Sequence, residues 1–329
     1  MPEQLVFAME VSLNGLMTGV MYALVALGFV LIYKASGIFN YAQGVMALFA
    51  AMTLVGIQEG RVPFAHLINA IFGTEVHHLP WHSVPALLAI LLTVGVMIFF
   101  AWAVQRFVFK HLVGQEPIIL FMATIGLAYF LEGVADLMWG SEIRTLDVGL
   151  PQGINLAIDE TTFNWFGYGF FIDNLDIVAS IVAAVLVMGL VAFAQYTKQG
   201  RAMRAVADDH QAALSVGISL NFVWILVWSL AGFVALVAGI MWGSKSGVQF
   251  SLSLIALKAL PVLMLGGFTS IPGAIVGGLI IGVGEALFEF AVGPMIGGAT
   301  ENWFAYVLAL IFLVFRPQGL FGEKIIERV

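Results

Sequence analysis

The chain has 329 residues, 61% of them hydrophobic and 10% charged, with a net charge of -7 and no cysteine. Soluble domains carry about 25% charged and about 45–50% apolar residues, so a mean hydropathy of +1.01 places this chain in a membrane. The missing cysteines exclude disulfides, thiolate chemistry and Cys-based metal or iron–sulfur sites, and an acidic balance without a basic run argues against nucleic acid.

The first ten residues contain Glu3 and Glu10 and no Lys or Arg. A cleavable signal peptide starts basic, so the first span is expected to stay in the protein. A hydrocarbon core of about 30 Å needs roughly 20 apolar residues in a helix. Runs of this kind fall near 11–33, 36–57, 84–108, 117–138, 177–196, 221–243, 252–268, 272–292 and 302–315. The predicted fold class is all-α: one polytopic integral membrane helix bundle over 1–329 with about eight to nine hydrophobic segments. The run 252–268 is short and holds Pro261, as a broken or re-entrant helix would.

If all nine cross and the N-terminus lies outside, Lys34, Arg106, Lys110, Lys198, Arg201, Arg204, Arg316, Lys324 and Arg328 fall inside. Arg61, Arg144, Lys245 and Lys258 fall outside or in the outer half of the membrane. Nine against four is the cytoplasmic Lys/Arg excess of membrane proteins. It favours full crossing of 252–268 and a cytoplasmic C-terminus.

Glycine pairs 15/19, 273/277 and 278/282 have the spacing that lets helix backbones approach closely in lipid, and Gly266 and Gly267 end a neighbouring run. These glycines predict helix packing. Asn40 and Gln43 open the second span beside Gly37 and Gly44. Buried polar groups in a membrane must be satisfied, so the two either line a translocation path or bond between helices. Thr124 carries the same two readings, plus a bond back to its own helix.

His77, His78 and His82 surround Pro80 in an outer loop, where no rigid metal site is expected. Segment 139–176 is an extracytoplasmic stretch with Glu142, Asp147, Asp159, Glu160, Asp173 and Asp176. It also carries Phe163, Trp165, Phe166, Tyr168, Phe170 and Phe171. Such aromatics suit a membrane–water boundary, as an interfacial flap or as a docking face for an external protein.

The longest inner loop, 197–220, is a candidate lever. Asp208 can cap a helix, with Gln211 three residues on, and Gly217 supplies a left-handed stop. Ala212, Ala213 and Val216 would form one apolar side. A helix of about two turns is marginal alone and must pack on a cytoplasmic partner or on lipid headgroups. Arg201 and Arg204 fit either surface, and His210 is expected at the surface. Deeper in, Lys258 and Glu285 lie six and seven residues from the outer ends of successive spans. At about 1.5 Å per residue both sit at roughly 10 Å depth. The expectation is a structural or gating ion pair, against a Lys258 that snorkels to the interface and a Glu285 that faces a cavity.

The stretch GRAMRAVADDHQAALSVGIS at 200–219 resembles the coupling loop of ATP-binding-cassette importer permeases, and more narrowly the branched-chain amino-acid (Liv-type) permease family. LGFVLIYKASGIFNYAQG at 27–44, LKALPVLMLGGFTSIPGAIVGGLIIGVGE at 257–285 and FRPQGLFGEK at 315–324 resemble further parts of that family, in family order. Two departures stand out: Phe268 and Thr269 follow Gly266 and Gly267 where the family commonly has small residues, and Val45 and Met46 follow Gly44 where it often has an acidic one.

The resemblance implies a permease subunit that binds no cofactor itself and works by alternating access. ATP is then used by two partner ATP-binding subunits gripping Arg201, Arg204, Asp208, Asp209, Ala212, Ala213 and Gly217. It also implies a second homologous permease, an extracytoplasmic binding protein, a bacterial inner membrane, and branched-chain or related small amino acids as cargo. On this reading Asn40, Gln43, Thr124, Lys258 and Glu285 lie along the path.

The chain has no phosphate-binding G-x-x-x-x-G-K-[ST] loop, as expected if ATP is handled elsewhere. The alternatives are an autonomous secondary transporter or channel, for which Glu132, Asp136 and Glu285 are the candidate coupling carboxylates, and a permease of the related sugar-importer group. A membrane enzyme would need convergent polar groups at one depth; here the charges are scattered toward span ends.

Overall fold

The computed structural model describes residues 2–73, 84–112, 114–153 and 172–322. Twelve α-helices run through them: α1 Pro2–Ser36, α2 Gln43–Gln58, α3 Ala65–Phe72, α4 Ala86–Phe107, α5 Pro117–Trp139, α6 Asn174–Tyr196, α7 Lys198–Asp208, α8 His210–Ser215, α9 Leu220–Ser246, α10 Ile255–Gly266, α11 Ile271–Ile296 and α12 Phe304–Phe315. No strand occurs among the described residues; one isolated antiparallel bridge joins Arg144 to Val248.

Six helices (α1, α4, α5, α6, α9 and α11) are long and apolar enough to cross a membrane. The other three hydrophobic runs form shorter apolar helices, so the nine hydrophobic segments expected from the sequence are six long ones and three short ones. At 16 residues, α2 covers about 24 Å, and α10 and α12, at 12 each, about 18 Å. Each falls short of a hydrocarbon core of about 30 Å. The short length of α2 has a physical reason: every residue from Gln43 to Gly56 is buried. A helix that is apolar all round is a core helix, and the protein around it replaces the bilayer. In α10, Pro261 sits inside the helix, where it removes one backbone donor, and a 3₁₀ turn, Phe250–Leu254, precedes it.

The hydrophobic pattern did not separate α3 from its surroundings. Phe64 stands before it in a left-handed conformation (φ 60°) and Gly73 ends it at φ 63°. Leu67, Ile71 and Phe72 are exposed, as on a helix lying in a membrane interface.

The chain divides into two compact units, Met1–Val30 with Leu150–Met188 and Leu257–Val329, and Leu31–Gly149 with Gly189–Ala256. In the first, α11 packs by glycine on two sides. A Cβ on Gly15 would lie 2.7 Å from the Gly282 carbonyl oxygen, and one on Gly278 would lie 2.5 Å from the Gly19 oxygen. The 15/19 pair of α1 therefore meets the 278/282 pair of α11 in antiparallel sense. On the other side, Gly273 lies against Gly266, and a Cβ on Gly277 would lie 2.5 Å from the Val262 oxygen of α10. Beyond α10, Gly267 turns at φ 101°. The tail then returns: Leu320 N donates to Leu265 O (2.7 Å) and Phe321 N to Gly266 O (3.1 Å), satisfying carbonyls that a helix end leaves open.

In the second unit α2 is enclosed by α4, α5 and α9. A Cβ on Gly239 would lie 2.5 Å from the Ala47 oxygen, and Gly56 lies under the Trp139 ring. Phe109 stacks on Trp228, both fully buried, at 4.9 Å between centroids.

Gly278→Val is expected to destabilise the protein by about 1–3 kcal/mol, the usual range for overpacking. Gly95→Val, at a helical glycine with nothing within 4 Å of an added Cβ, should have little effect. Unfolding of the purified protein in detergent measures both; equal stability of the two variants would contradict the glycine packing.

Candidate functional site

The predicted polar residues of the second span gather at the junction of α1 and α2. Asn40, Gln43 and Thr124 are fully buried. Asn40 Nδ2 donates to Gln43 Oε1 (3.2 Å), while its Oδ1 accepts from Ala42 N (3.1 Å) and so forms the turn into α2. Gln43 Nε2 donates to Ala231 O of α9 (3.3 Å). Thr124 of α5 accepts from Tyr41 N (3.1 Å), and its hydroxyl lies within donating distance of Phe39 O (3.1 Å) and Phe121 O (2.8 Å). The three side chains thus bind the 37–42 turn to α5 and α9.

Lys258 and Glu285 lie together in the other unit. Lys258 Nζ is 3.6 Å from Glu285 Oε1, with the Glu285 side chain 6% exposed and that of Lys258 27%. Lys258 also donates to Glu301 O (3.3 Å) and stands over the Tyr22 ring, 5.8 Å from its centroid. The Tyr22 hydroxyl hydrogen-bonds the Glu285 carboxylate. Glu285 Oε1 is buried and accepts no hydrogen bond among the described residues. Sequence reasoning missed Tyr22, whose signal is a phenol in the middle of an apolar run, and Glu289. The latter accepts from Ala299 N (3.1 Å) and Thr300 N (2.7 Å), and bonds the Thr300 hydroxyl, so it fastens the turn after α11.

The inner loop is two helices rather than one. Thr197 caps α7 by accepting from Gly200 N (2.9 Å). The absent Cβ at Gly200 lets α7 fold back against Phe193 and Ala194 of α6. Met203 and Val206 are buried. Arg201 Nη1 and Arg204 Nη2 reach Tyr196 O and Gln195 O, each at 3.5 Å, where a cation favours the carbonyl end of α6.

Asp208 is the last residue of α7, so it does not cap the second helix. Asp209 does: its backbone is extended (φ -157°, ψ 113°) and its Oδ1 accepts from Gln211 N (2.8 Å) and Ala212 N (3.0 Å). The displacement by one residue follows from the requirement that a capping residue lie outside helical geometry. Gly217 (φ 84°) ends α8, with Gly217 N on Leu214 O and Ile218 N on Ala213 O, both 3.0 Å, the paired bonds of a Schellman stop.

The expected apolar side is also corrected. Ala213 is buried within the fold, Ala212 is exposed, and the large exposed apolar groups are Leu214 (52%) and Val216 (74%). The His210 side chain lies outside the described residues, as do His77, His78 and His82, Asp159 and Glu160, and the aromatics from Phe163 to Phe171.

At the far end of the same unit, Arg61 Nε meets Glu59 Oε2 at 2.7 Å and its Nη2 lies 3.6 Å from Glu142 Oε2. Arg144, 6% exposed, bonds Trp139 O and approaches Glu59 Oε2 at 3.9 Å. Burial, then Arg61, presses the Arg144 guanidinium below its ordinary pKa, while Glu59 and Glu142 oppose this. Alternating acids and arginines at span ends were the available sequence signal.

The family described as "Branched-chain amino acid transport system / permease component" matches residues 11–316. The chain belongs to this family of membrane-spanning transport permeases. It is 28% identical over 320 residues to the high-affinity branched-chain amino acid transport system permease protein BraD of Pseudomonas aeruginosa, covering 96% of each chain. Against the corresponding LivH proteins it is 27% identical over 345 residues in Escherichia coli K12 and 28% over 332 residues in Salmonella typhimurium, covering 100% of each chain in both cases.

Single reversals Lys258→Glu and Glu285→Lys each leave like charges facing one another in a buried place. Breaking such a pair costs about 3–5 kcal/mol, so each is expected to lower the yield of folded permease, and the double reversal to restore it. Absence of rescue in a fluorescence-detected size-exclusion profile would contradict a paired Lys258 and Glu285.

Proposed function

We propose that this chain is the membrane-spanning permease subunit of an ATP-binding-cassette importer that carries branched-chain or closely related small amino acids across the bacterial inner membrane. The observation that carries this reading is relatedness over 96–100% of the chain to permeases whose names state that cargo. It works with partners: two ATP-binding subunits, a second permease of similar fold, and an extracytoplasmic binding protein that delivers the amino acid. It performs no chemical step itself, and ATP is bound and hydrolysed by the partner subunits.

The α7–α8 pair is the coupling element. Its base is fixed by the Thr197 cap, Gly200 and the two arginines. Its tip presents Leu214 and Val216, between the Asp209 cap and the Gly217 stop. Leucine and valine side chains at the tip of a helix too short to stand alone in water suit a groove on a cytoplasmic ATPase. A tip held at both ends moves as a body, so closure of the ATPase pair is transmitted to α6 and α9, and the path opens alternately to the two sides.

The orientation supports the same assignment. In the unit holding this pair, Lys34, Arg106, Lys110, Lys198, Arg201 and Arg204 mark one end, and Arg61, Arg144 and Lys245 the other. The richer end is the cytoplasmic one by the positive-inside rule. Glu142 and Asp147, exposed at the other end of the same unit, then face outward as part of a docking face for the binding protein.

Because the chain has no native cysteine, single cysteines report topology cleanly. Val216→Cys should react with an impermeant maleimide only from the cytoplasmic side, and Glu142→Cys only from the outside. Leu214→Glu with Val216→Glu should leave the permease folded but uncouple it, so that ATP hydrolysis by the assembled complex no longer drives uptake. Ala213→Arg, at a buried position, should instead lower stability. Undiminished uptake by the Leu214/Val216 variant would remove α8 from the coupling role.

A further inference from the structure

Glu285 poses a physical problem that a purely structural ion pair does not answer. Its carboxylate is nearly buried, yet Oε1 accepts no hydrogen bond among the described residues and stands 3.6 Å from Lys258 Nζ. A buried ion pair repays the loss of hydration only with good geometry and filled lone pairs. An ionisable residue inside a membrane protein marks a functional place more often than a structural one. The rest of the cluster is well made. Tyr22 holds the carboxylate from α1, and Lys258, the more exposed partner, is steadied by Glu301 O and the Tyr22 ring. One buried anion and one reachable cation are thus held side by side across a single long contact of 3.6 Å.

We propose that Lys258 and Glu285 form a recognition site for the two charged ends of an α-amino acid in transit. The substrate carboxylate accepts from the Lys258 ammonium, and the substrate ammonium donates to Glu285 Oε1. The site is neutral as a pair and the cargo is neutral as a zwitterion, so entry leaves no net charge in the membrane. One long ion pair is replaced by two charge-assisted hydrogen bonds, the stronger kind, and on release the pair closes again.

The spacing of the two groups resembles that between the ammonium and carboxylate of an α-amino acid. Tyr22 holds Glu285 in place and is a positioning residue. No group in the cluster reads the aliphatic side chain, so this site accepts the backbone part of the cargo and leaves side-chain selection to the binding protein. The inference rests on the amino-acid importer reading given above.

The test uses the complete importer in proteoliposomes, with Lys258→Met combined with Glu285→Gln. This double variant removes both charges and keeps a hydrogen-bonding partner for Tyr22. Replacing a buried ion pair by neutral groups is often harmless to folding, so a structural pair predicts normal uptake. The recognition site predicts an assembled complex that still hydrolyses ATP but takes up L-[3H]leucine at least about tenfold more slowly, because the ammonium partner of the substrate carboxylate is gone and the partner of its ammonium is no longer charged.

Normal uptake by the double variant, with an active wild type, overturns the site and leaves the importer reading intact. No ATP-driven leucine uptake by the wild type overturns the importer reading and the site with it. If the double variant does not assemble, the wild-type complex in nanodiscs decides. L-leucine should then bind about tenfold or more tightly than 4-methylpentanoate, which lacks the ammonium, or 3-methylbutylamine, which lacks the carboxylate. Equal binding of the three, or no binding of leucine, contradicts the site.

Discussion

Helices in lipid gain nothing by burying apolar surface against one another, because the acyl chains are as apolar as the side chains. What holds them is close backbone approach and the satisfaction of polar groups. Here α11 meets α1 through Gly278 and Gly282 and α10 through Gly273 and Gly277, with carbonyl oxygens where side chains would otherwise stand. Those two contacts fix the positions from which Tyr22, Lys258 and Glu285 project. A broader residue in either stripe would push the helices apart and dissolve the charge cluster.

The polar groups follow the same logic in the other unit. Asn40, Gln43 and Thr124 use their hydrogen-bonding capacity on backbone and on each other, tying a non-helical turn into the surrounding helices. Irregular backbone at membrane depth is tolerated where protein encloses it, and the short buried α2 beyond the turn shows how completely it is enclosed. A rigid junction at that level contrasts with the α7–α8 pair, which leaves Leu214 and Val216 uncovered.

Much of this was legible in the sequence, for reasons that can be named. Long apolar runs give long helices, and glycines spaced by four gave the packing stripes, since only glycine permits such approach. Lys258 and Glu285 stood out because charges are rare in apolar runs. Three kinds of information were hidden. The length of α2 depends on what surrounds it, and hydropathy does not record that. The cap of α8 fell on Asp209 rather than its neighbour because two adjacent aspartates look alike until backbone geometry chooses. The partners of Glu289 and Arg144, and the return of residues 320–321 to cap α10, are contacts between distant parts of the chain with no local signature.

The central claim is that this chain forms the path through which amino acids are driven by ATP hydrolysed on partner subunits. The most direct measurement is uptake of labelled leucine into proteoliposomes holding the assembled importer, with ATP supplied on the side of the α7–α8 pair and the binding protein on the other. Accumulation against a gradient that needs both, and stops when a non-hydrolysable analogue replaces ATP, is the predicted result. Uptake that proceeds without ATP and follows an imposed ion gradient would contradict the account and make the chain a secondary transporter.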